Sequence, residues 1–289
     1  MTMKQLTVNE FKAFVARDPA WALTLTEPVE ITGCCNMARS KITHLSPLLH
    51  FAGRNKDGDC ANFSNCMNLK VAEGSFAGFV NFCGSGVEKI GDLRITAPDS
   101  GGVAGCFDGC LSLKVAEGTF PGSVSFDCSC IERIGTLITV PDAEGKSANF
   151  NRCEDLKVAE GSFAGFVNFG ESGVEKIGAL NITAYDQDGY AASFADCPKL
   201  KVAEGIFPGY VGFSNSGIER IQGLVIHSCN KDNIAADFSD CTLLQRAPVS
   251  LLEDSSYQFD DAFRLRAAEM QAVRKSVCTA LQNQPDLEI

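Results

Sequence analysis

The chain has 289 residues, of which 45% are hydrophobic and 21% charged, a composition that excludes extended disorder and suffices for one large or two medium domains. Its 25 Lys and Arg stand against 36 Asp and Glu, a formal charge of −11, which argues against general binding to nucleic acid or anionic membranes and favours basic partners. No segment approaches the ~18 uncharged apolar residues of a spanning helix and the N-terminus lacks a secretory-signal pattern, so the expected location is cytoplasmic, with export by another route left open.

Thr7-Val8-Asn9-Glu10 reads as a capping box. Val8, Phe11, Phe14 and Val15 then share one helical face, and Pro19 closes the helix. Trp21-Ala-Leu23-Thr-Leu25 and Val29-Glu-Ile31 alternate with period two and predict short strands. Residues 1–34 therefore read as an N-terminal cap.

From residue 35 to 250 the chain repeats. The stretch LKVAEGSF at 69–76 returns at 113–120, 156–163 and 200–207 with small changes and fades from Leu244; its Lys residues, 70, 114, 157 and 201, lie 44, 43 and 44 apart. A fixed period of this length marks a solenoid whose units bury their apolar faces only against neighbours. Each unit has two related halves. One follows Phe63/Cys66/Leu69/Ala72, the other Phe82/Ser85/Val87/Ile90, and counting both kinds from Met37 to Ala247 predicts ten coils.

In Val80-Asn81-Phe82 two apolar residues flank one outward residue on a short strand, after which the chain turns. A Cys or Ser at the turn is predicted to sit inside the coil and bond the backbone of a neighbour. The Phe-x-x-Cys-x-x-Leu rhythm and the alternating halves match leucine-rich patterns. Over roughly residues 35 to 250 the chain resembles the bacterial BspA-like leucine-rich-repeat class, although Lys-Val-Ala-Glu-Gly replaces the usual apolar-Pro run. The fold expected is a leucine-rich-repeat solenoid: a right-handed coil of short parallel strands, mostly β and loop, with helical N- and C-terminal caps. The resemblance implies a cell-surface or secreted protein.

The closing residues Phe76, Phe120, Phe163 and Phe207 are expected to stack as an internal spine. The segments from Leu93, Leu137, Leu180 and Leu224 alternate with period two and predict a second ladder on the opposite wall. Each ends in a variable turn such as Pro98-Asp-Ser-Gly101 or Tyr185-Asp-Gln-Asp-Gly189. After Pro248, Phe259, Phe263, Ala267, Met270, Val277 and Leu281 predict one face of a helix, with Asp260 and Asp261 at its start and Arg274 and Lys275 later. Residues 251–289 thus read as the C-terminal cap of a monomer.

Of fourteen Cys, five (66, 110, 153, 197 and 241) recur in one slot and predict a buried row; the others form no CxxC pair, so reduced thiols are expected. The column Lys70, Glu88, Lys114, Glu132, Lys157, Glu175, Lys201, Glu219 alternates in sign and reads as a self-neutralising solvated face. Outward positions Asn62, Asn81, Cys106, Ser125, Asn149, Asn168, Ser193, Gly212 and Asp237 are small, and either bind a partner or simply suit a crowded sheet. Beside them run Phe79, Ser123, Phe166 and Tyr210, whose aromatics serve as anchors if exposed. The acidic turns lack a complete calcium loop, and His44, His50 and His227 have no Cys at zinc-ligand spacing, so no metal and no cofactor is expected.

His44 and His50 also lie far along the coil from His227, which leaves no Cys–His constellation and argues against an enzyme. The function expected is a non-enzymatic scaffold for protein–protein interaction, binding through Phe79, Phe166, Tyr210, Asn62, Asn81, Ser125, Asn149, Asn168, Ser193 and Asp237. The alternative is a secreted or translocated bacterial factor or adhesin that binds a host protein or a surface glycan.

Overall fold

The computed structural model describes residues 3–282, without the side chains of 271 and 274–282. The chain winds as a parallel β-solenoid of about 12 turns with few helices. One wall is a continuous 11-stranded sheet that runs in sequence order from Cys35–Asn36 to Tyr257–Phe259. Its rungs are the segments read as apolar-x-Phe: Val80 and Phe82 are fully buried and Asn81 between them is half-buried, as the alternation predicted. The strand Tyr257–Phe259 adds a rung to the ten coils expected, because Phe259 continues the repeat instead of joining the helix that follows.

The other wall begins as a five-stranded sheet, Lys4–Thr7, Val29–Thr32, Leu49–Phe51, Val71–Phe76 and Lys89–Ile95. Three two-stranded sheets follow: Val115–Phe120 with Arg133–Thr139, Val158–Phe163 with Lys176–Ile182, and Val202–Phe207 with Arg220–Ile226. The predicted second ladder therefore exists but is cut after every second coil. Each of these strand pairs carries a bulge, as does the pair Val71–Phe76 and Lys89–Ile95 of the five-stranded sheet. Ala116 pairs with Ile134 and Gly118 with Leu137, so one residue opposes two, and this recurs at Gly161 and Gly205. A bulge bends its strand locally. Gly118, Gly161 and Gly205 have φ of 122, 114 and 112°, a region closed to residues with a side chain, which is why the KVAEG motif ends in glycine.

The core is a column of aromatic rings, though not the column the sequence suggested. Ten Phe, one from each rung from Phe63 to Phe259, stack with centroids 5.1–5.5 Å apart and planes within 6–15° of parallel. Phe76, Phe120, Phe163 and Phe207 instead meet this column edge-on at 6.2–6.4 Å. They recur only every second coil, roughly 9–10 Å apart at the usual strand spacing, which is too far to stack on one another. Each buried ring contributes about 1.5–3 kcal/mol.

Beside the rings runs the predicted Cys row. Each thiol donates to a carbonyl of the preceding coil, as Cys153 does to Phe126 at 3.2 Å and Cys241 to Phe213 at 3.0 Å. Each also lies 3.4–3.5 Å from the Ser of that coil, pairing Ser40 with Cys66, Ser85 with Cys110, Ser129 with Cys153, Ser172 with Cys197 and Ser216 with Cys241. Burial pushes the Cys153 thiol up to about 11, so at neutral pH it keeps the proton it donates.

Among the described residues, two buried hydroxyls in one coil have no hydrogen-bond partner, Thr139 Oγ1 and Ser147 Oγ. Thr139 occupies the register position of Ile95 and Ile182, and Ser147 that of Ala104 and Ala191. Restoring the repeat with Thr139→Ile and Ser147→Ala is expected to stabilise the chain by about 1 kcal/mol each, read as a higher urea midpoint at unchanged slope. A lower midpoint for both variants would contradict the assignment.

At the N-terminal end, Val8–Arg17 forms helix α1, with the capping box closed by Thr7 and Glu10. Phe11 packs edge-on against Phe51 at 5.6 Å. Residues Trp21–Thr24 form a 3₁₀ turn instead of the expected strand, which lets Trp21 stack on Phe14 at 4.9 Å. Beyond the short helix α2 (Val249–Glu253), α3 spans Asp261–Gln282. Of its predicted apolar face Phe263 and Ala267 are buried and Met270 is 49% exposed. The side chains of Arg274, Lys275, Val277 and Leu281 lie outside the described residues.

Candidate protein-binding surface

The outer face of the long sheet carries two rows of side chains. One is the small-residue ladder, in unbroken register from Asn62 through Asn81, Cys106, Ser125, Asn149, Asn168, Ser193 and Gly212 to Asp237. The structure thus brings together every ladder residue named from the sequence. It also gives most of them a local task. Asn62, Asn81, Asn149, Asn168 and Asp237 each use Oδ1 to accept the backbone N–H two residues on, at 2.8–3.1 Å, and Ser193 uses Oγ at 3.4 Å.

The residue after that N–H adopts the left-handed conformation at Asn65, Gly84, Arg152, Glu171, Asp196 and Asp240, with φ of 53–64°, and Arg39 does so after the N–H that Asn36 Oδ1 accepts. Cys128 and Asn215 share the conformation after Ser125 and Gly212, which make no such bond. The ladder amides fix a turn that L-residues otherwise resist, which explains Asn there without any ligand. Ser125 differs, since Asn149 Nδ2 donates to its hydroxyl at 3.3 Å.

The second row runs on the same face, two residues upstream of the first on the Ser-type rungs and three on the Cys-type rungs, where a bulge adds a residue. Phe79 and Phe166 are half-buried in it, while Tyr210 is only 9% exposed. Tyr210 lies across the ladder. A Cβ on Gly212 would stand 3.3 Å from its hydroxyl oxygen, so the missing ladder side chain makes room for the ring. Burial, reinforced by Asp237 and Tyr190, pushes the Tyr210 phenol well above its ordinary range.

Tyr190 joins this group although it was not singled out in the sequence. Its ring meets Tyr210 at 4.6 Å and Phe166 at 6.4 Å, both edge-on, and makes a three-ring cluster across neighbouring rungs. The sequence signal for it is its place directly after Asp186-Gln-Asp-Gly189, equivalent to Lys146 and Val103, which only the strand register joins to the aromatic row. Phe79 stands apart, in register with Asp59.

The leading residue of each edge turn is engaged by the turn itself. Asp99, Asp142 and Asp186 each accept two backbone N–H groups of their own turn at 2.8–3.0 Å, and Asn55 and Asn230 do the same. These turns stack on one another two coils apart, as in Ala143 N–H to Gly101 at 3.1 Å and Gln187 N–H to Glu144 at 3.0 Å. The alternating charge column forms ion pairs within each double unit: Lys70–Glu88, Lys114–Glu132, Lys157–Glu175 and Lys201–Glu219, at 2.5–3.5 Å. All are about half exposed, so each contributes a few tenths of a kcal/mol and leaves little net field.

Not all thiols are free. Cys83 and Cys106 form a disulfide between adjacent rungs of the outer face, a pairing across 23 residues that only the strand register reveals. The five Cys of the buried row are free, together with Cys34, Cys35, Cys60, Cys128, Cys130 and Cys229. Among the described residues no helix is long and apolar enough to cross a membrane. Compared with protein-family models, with curated proteins and with solved structures, the chain matches none.

Proposed function

We propose that this chain is a non-enzymatic scaffold that binds another protein through the outer face of its long sheet. The Phe166–Tyr190–Tyr210 cluster carries this reading: three rings gathered on neighbouring rungs, next to a ladder of small and polar residues and beside Asp237. Aromatic side chains held by their neighbours lose little entropy on binding and are the usual anchors of interfaces. With a charge of −11, the fitting partner presents a basic side chain to the rings and to Asp237. Within this reading the solenoid is of the leucine-rich type, resembling the BspA-like class, and α1 and α3 cap a monomer.

A second reading, a secreted or translocated factor or adhesin for a host protein or surface glycan, draws on the Cys83–Cys106 disulfide, since such bonds persist in oxidising compartments. The test uses Phe166→Ser and Tyr190→Lys, which copy the residues of the same row at Ser123 and Lys146 and so should keep the fold. Capture of a protein by the immobilised chain is expected to fall at least tenfold in the double variant with thermal stability unchanged. Equal capture by both forms would remove the cluster from the site, and retention on a glycan array alone would select the second reading.

A further inference from the structure

The outer face breaks its own rule at one point. Cys106 stands in the ladder position held elsewhere by Asn62, Asn81 or Asn149. Cys83 follows Asn81 by two residues, where Ser64 follows Asn62 and Asp108 follows Cys106. The diagonal across neighbouring strands puts their Cα atoms 5.8 Å apart and joins their sulfurs. A carboxylate oxygen of Asp108 and the two sulfurs all lie within 4.8 Å of one another.

The three groups are held by the sheet itself. Asp108 accepts the Asp127 N–H at 2.9 Å through Oδ1, and its backbone carbonyl accepts the Gly84 N–H at 2.7 Å, tying the rung of Asp108 to that of Cys83. All three residues are half-buried on a face open to solvent. Two sulfurs and one carboxylate at this spacing form a donor set for a thiophilic divalent cation, which prefers thiolates at about 2.3 Å in a tetrahedron whose edges are then about 3.8 Å.

We propose that Cys83, Cys106 and Asp108 form a binding site for a divalent cation of the zinc class, closed in the disulfide form and opened by an external dithiol. In opening, the dithiol passes two electrons and two protons to the Cys pair: the Cys83–Cys106 bond breaks, both sulfurs become thiols, and the dithiol becomes a disulfide. On binding, the two thiols release their protons to solvent, two metal–sulfur bonds and one bond to Asp108 form, and water completes the tetrahedron. Disulfide and metal are then mutually exclusive occupants of one site, and the redox state of the surroundings selects between them.

The test uses the full chain, reduced with a phosphine, and Co²⁺ as the probe, displaced afterwards by Zn²⁺. Other thiols are present, so the comparator is Cys83→Ser with Cys106→Ser. Those serines already occupy the matching places at Ser64 and Ser125, which keeps the variant folded. The reduced native chain is expected to bind one more equivalent of Co²⁺ than the double variant, with thiolate-to-cobalt charge-transfer absorption and tetrahedral d–d bands. The oxidised native chain is expected to match the double variant, and Asp108→Asn to weaken Zn²⁺ binding by about tenfold or more in a chelator competition. Equal Co²⁺ uptake by the reduced native chain and the double variant, or equal uptake by the oxidised and reduced native chains, overturns the proposal.

Discussion

Replacing Phe150 by Ala is expected to cost about 3–5 kcal/mol. Its ring lies between Phe126 and Phe169, 5.4 Å from each, and Phe163 meets its edge at 6.3 Å. The side chain is fully buried, and a rigid coil on either side leaves the cavity no way to collapse. Because a solenoid is stabilised between neighbours, the gap also uncouples the two halves of the stack, and urea unfolding should broaden or split. Phe150→Leu, which keeps most of the volume, should cost less than about 1.5 kcal/mol. Phe79→Ala, in the half-buried outer row, supplies the control. Equal losses for Phe150→Ala and Phe79→Ala would mean that the ring column does not hold the coils together.

Gly165→Ala comes next, at about 2–4 kcal/mol. The backbone here has no left-handed φ, so the obstacle is space. A Cβ would stand 2.2 Å from the carbonyl oxygen of Gly145 in the neighbouring coil, the same oxygen that accepts the Phe166 N–H at 2.9 Å. Accommodating the methyl means spreading two rungs, an overpacking cost of about 1–3 kcal/mol, and weakening a backbone bond worth about 1 kcal/mol. The geometry repeats at Gly78 against Gly58, Gly122 against Gly102 and Gly209 against Gly189, with 2.1, 2.1 and 2.5 Å. Gly101→Ala meets only a carboxylate oxygen at 3.4 Å and should be close to neutral, so a melting comparison of the two variants tests the argument. A neutral Gly165→Ala would show that the coils slide apart freely.

Much of the fold was legible because it repeats. The period, the two kinds of half, the inward Cys and Ser and the outward ladder all follow from one residue type returning to one slot, and the strand register keeps each slot aligned. The ring column was misread for a reason also present in the sequence. Phe63, Phe82 and Phe107 come once per coil, whereas Phe76 and Phe120 come once per two, and stacking needs contact at every coil. Trp21 was misread because five alternating residues fit a strand as well as a 3₁₀ turn in which the indole finds Phe14.

The outer-face groupings were hidden because they do not repeat. Cys83 and Cys106 differ from their counterparts in every other coil, and Tyr190 opens the rung after a turn that varies between copies. Pairing across the register, once known, brings both groups into view. For the ladder amides, the residue type was read correctly as small and polar. Their bonds to the next turn emerged only with the left-handed residues at Asn65 and Arg152, which no sequence pattern marks.

The cuts in the second wall define what can be gained or lost as a block. Each lies between one 43- or 44-residue unit and the next, so excising or duplicating residues 114–156 or 157–200 would sever no strand-to-strand hydrogen bond on that wall. On the long sheet each block boundary joins a Cys-type rung to the Ser-type rung that follows it, and the same kind of junction re-forms after the change. The molecule can thus change length in steps of two coils while its ends stay the same, as a telescoping ruler does. The near-identical LKVAEG copies are the record such steps would leave.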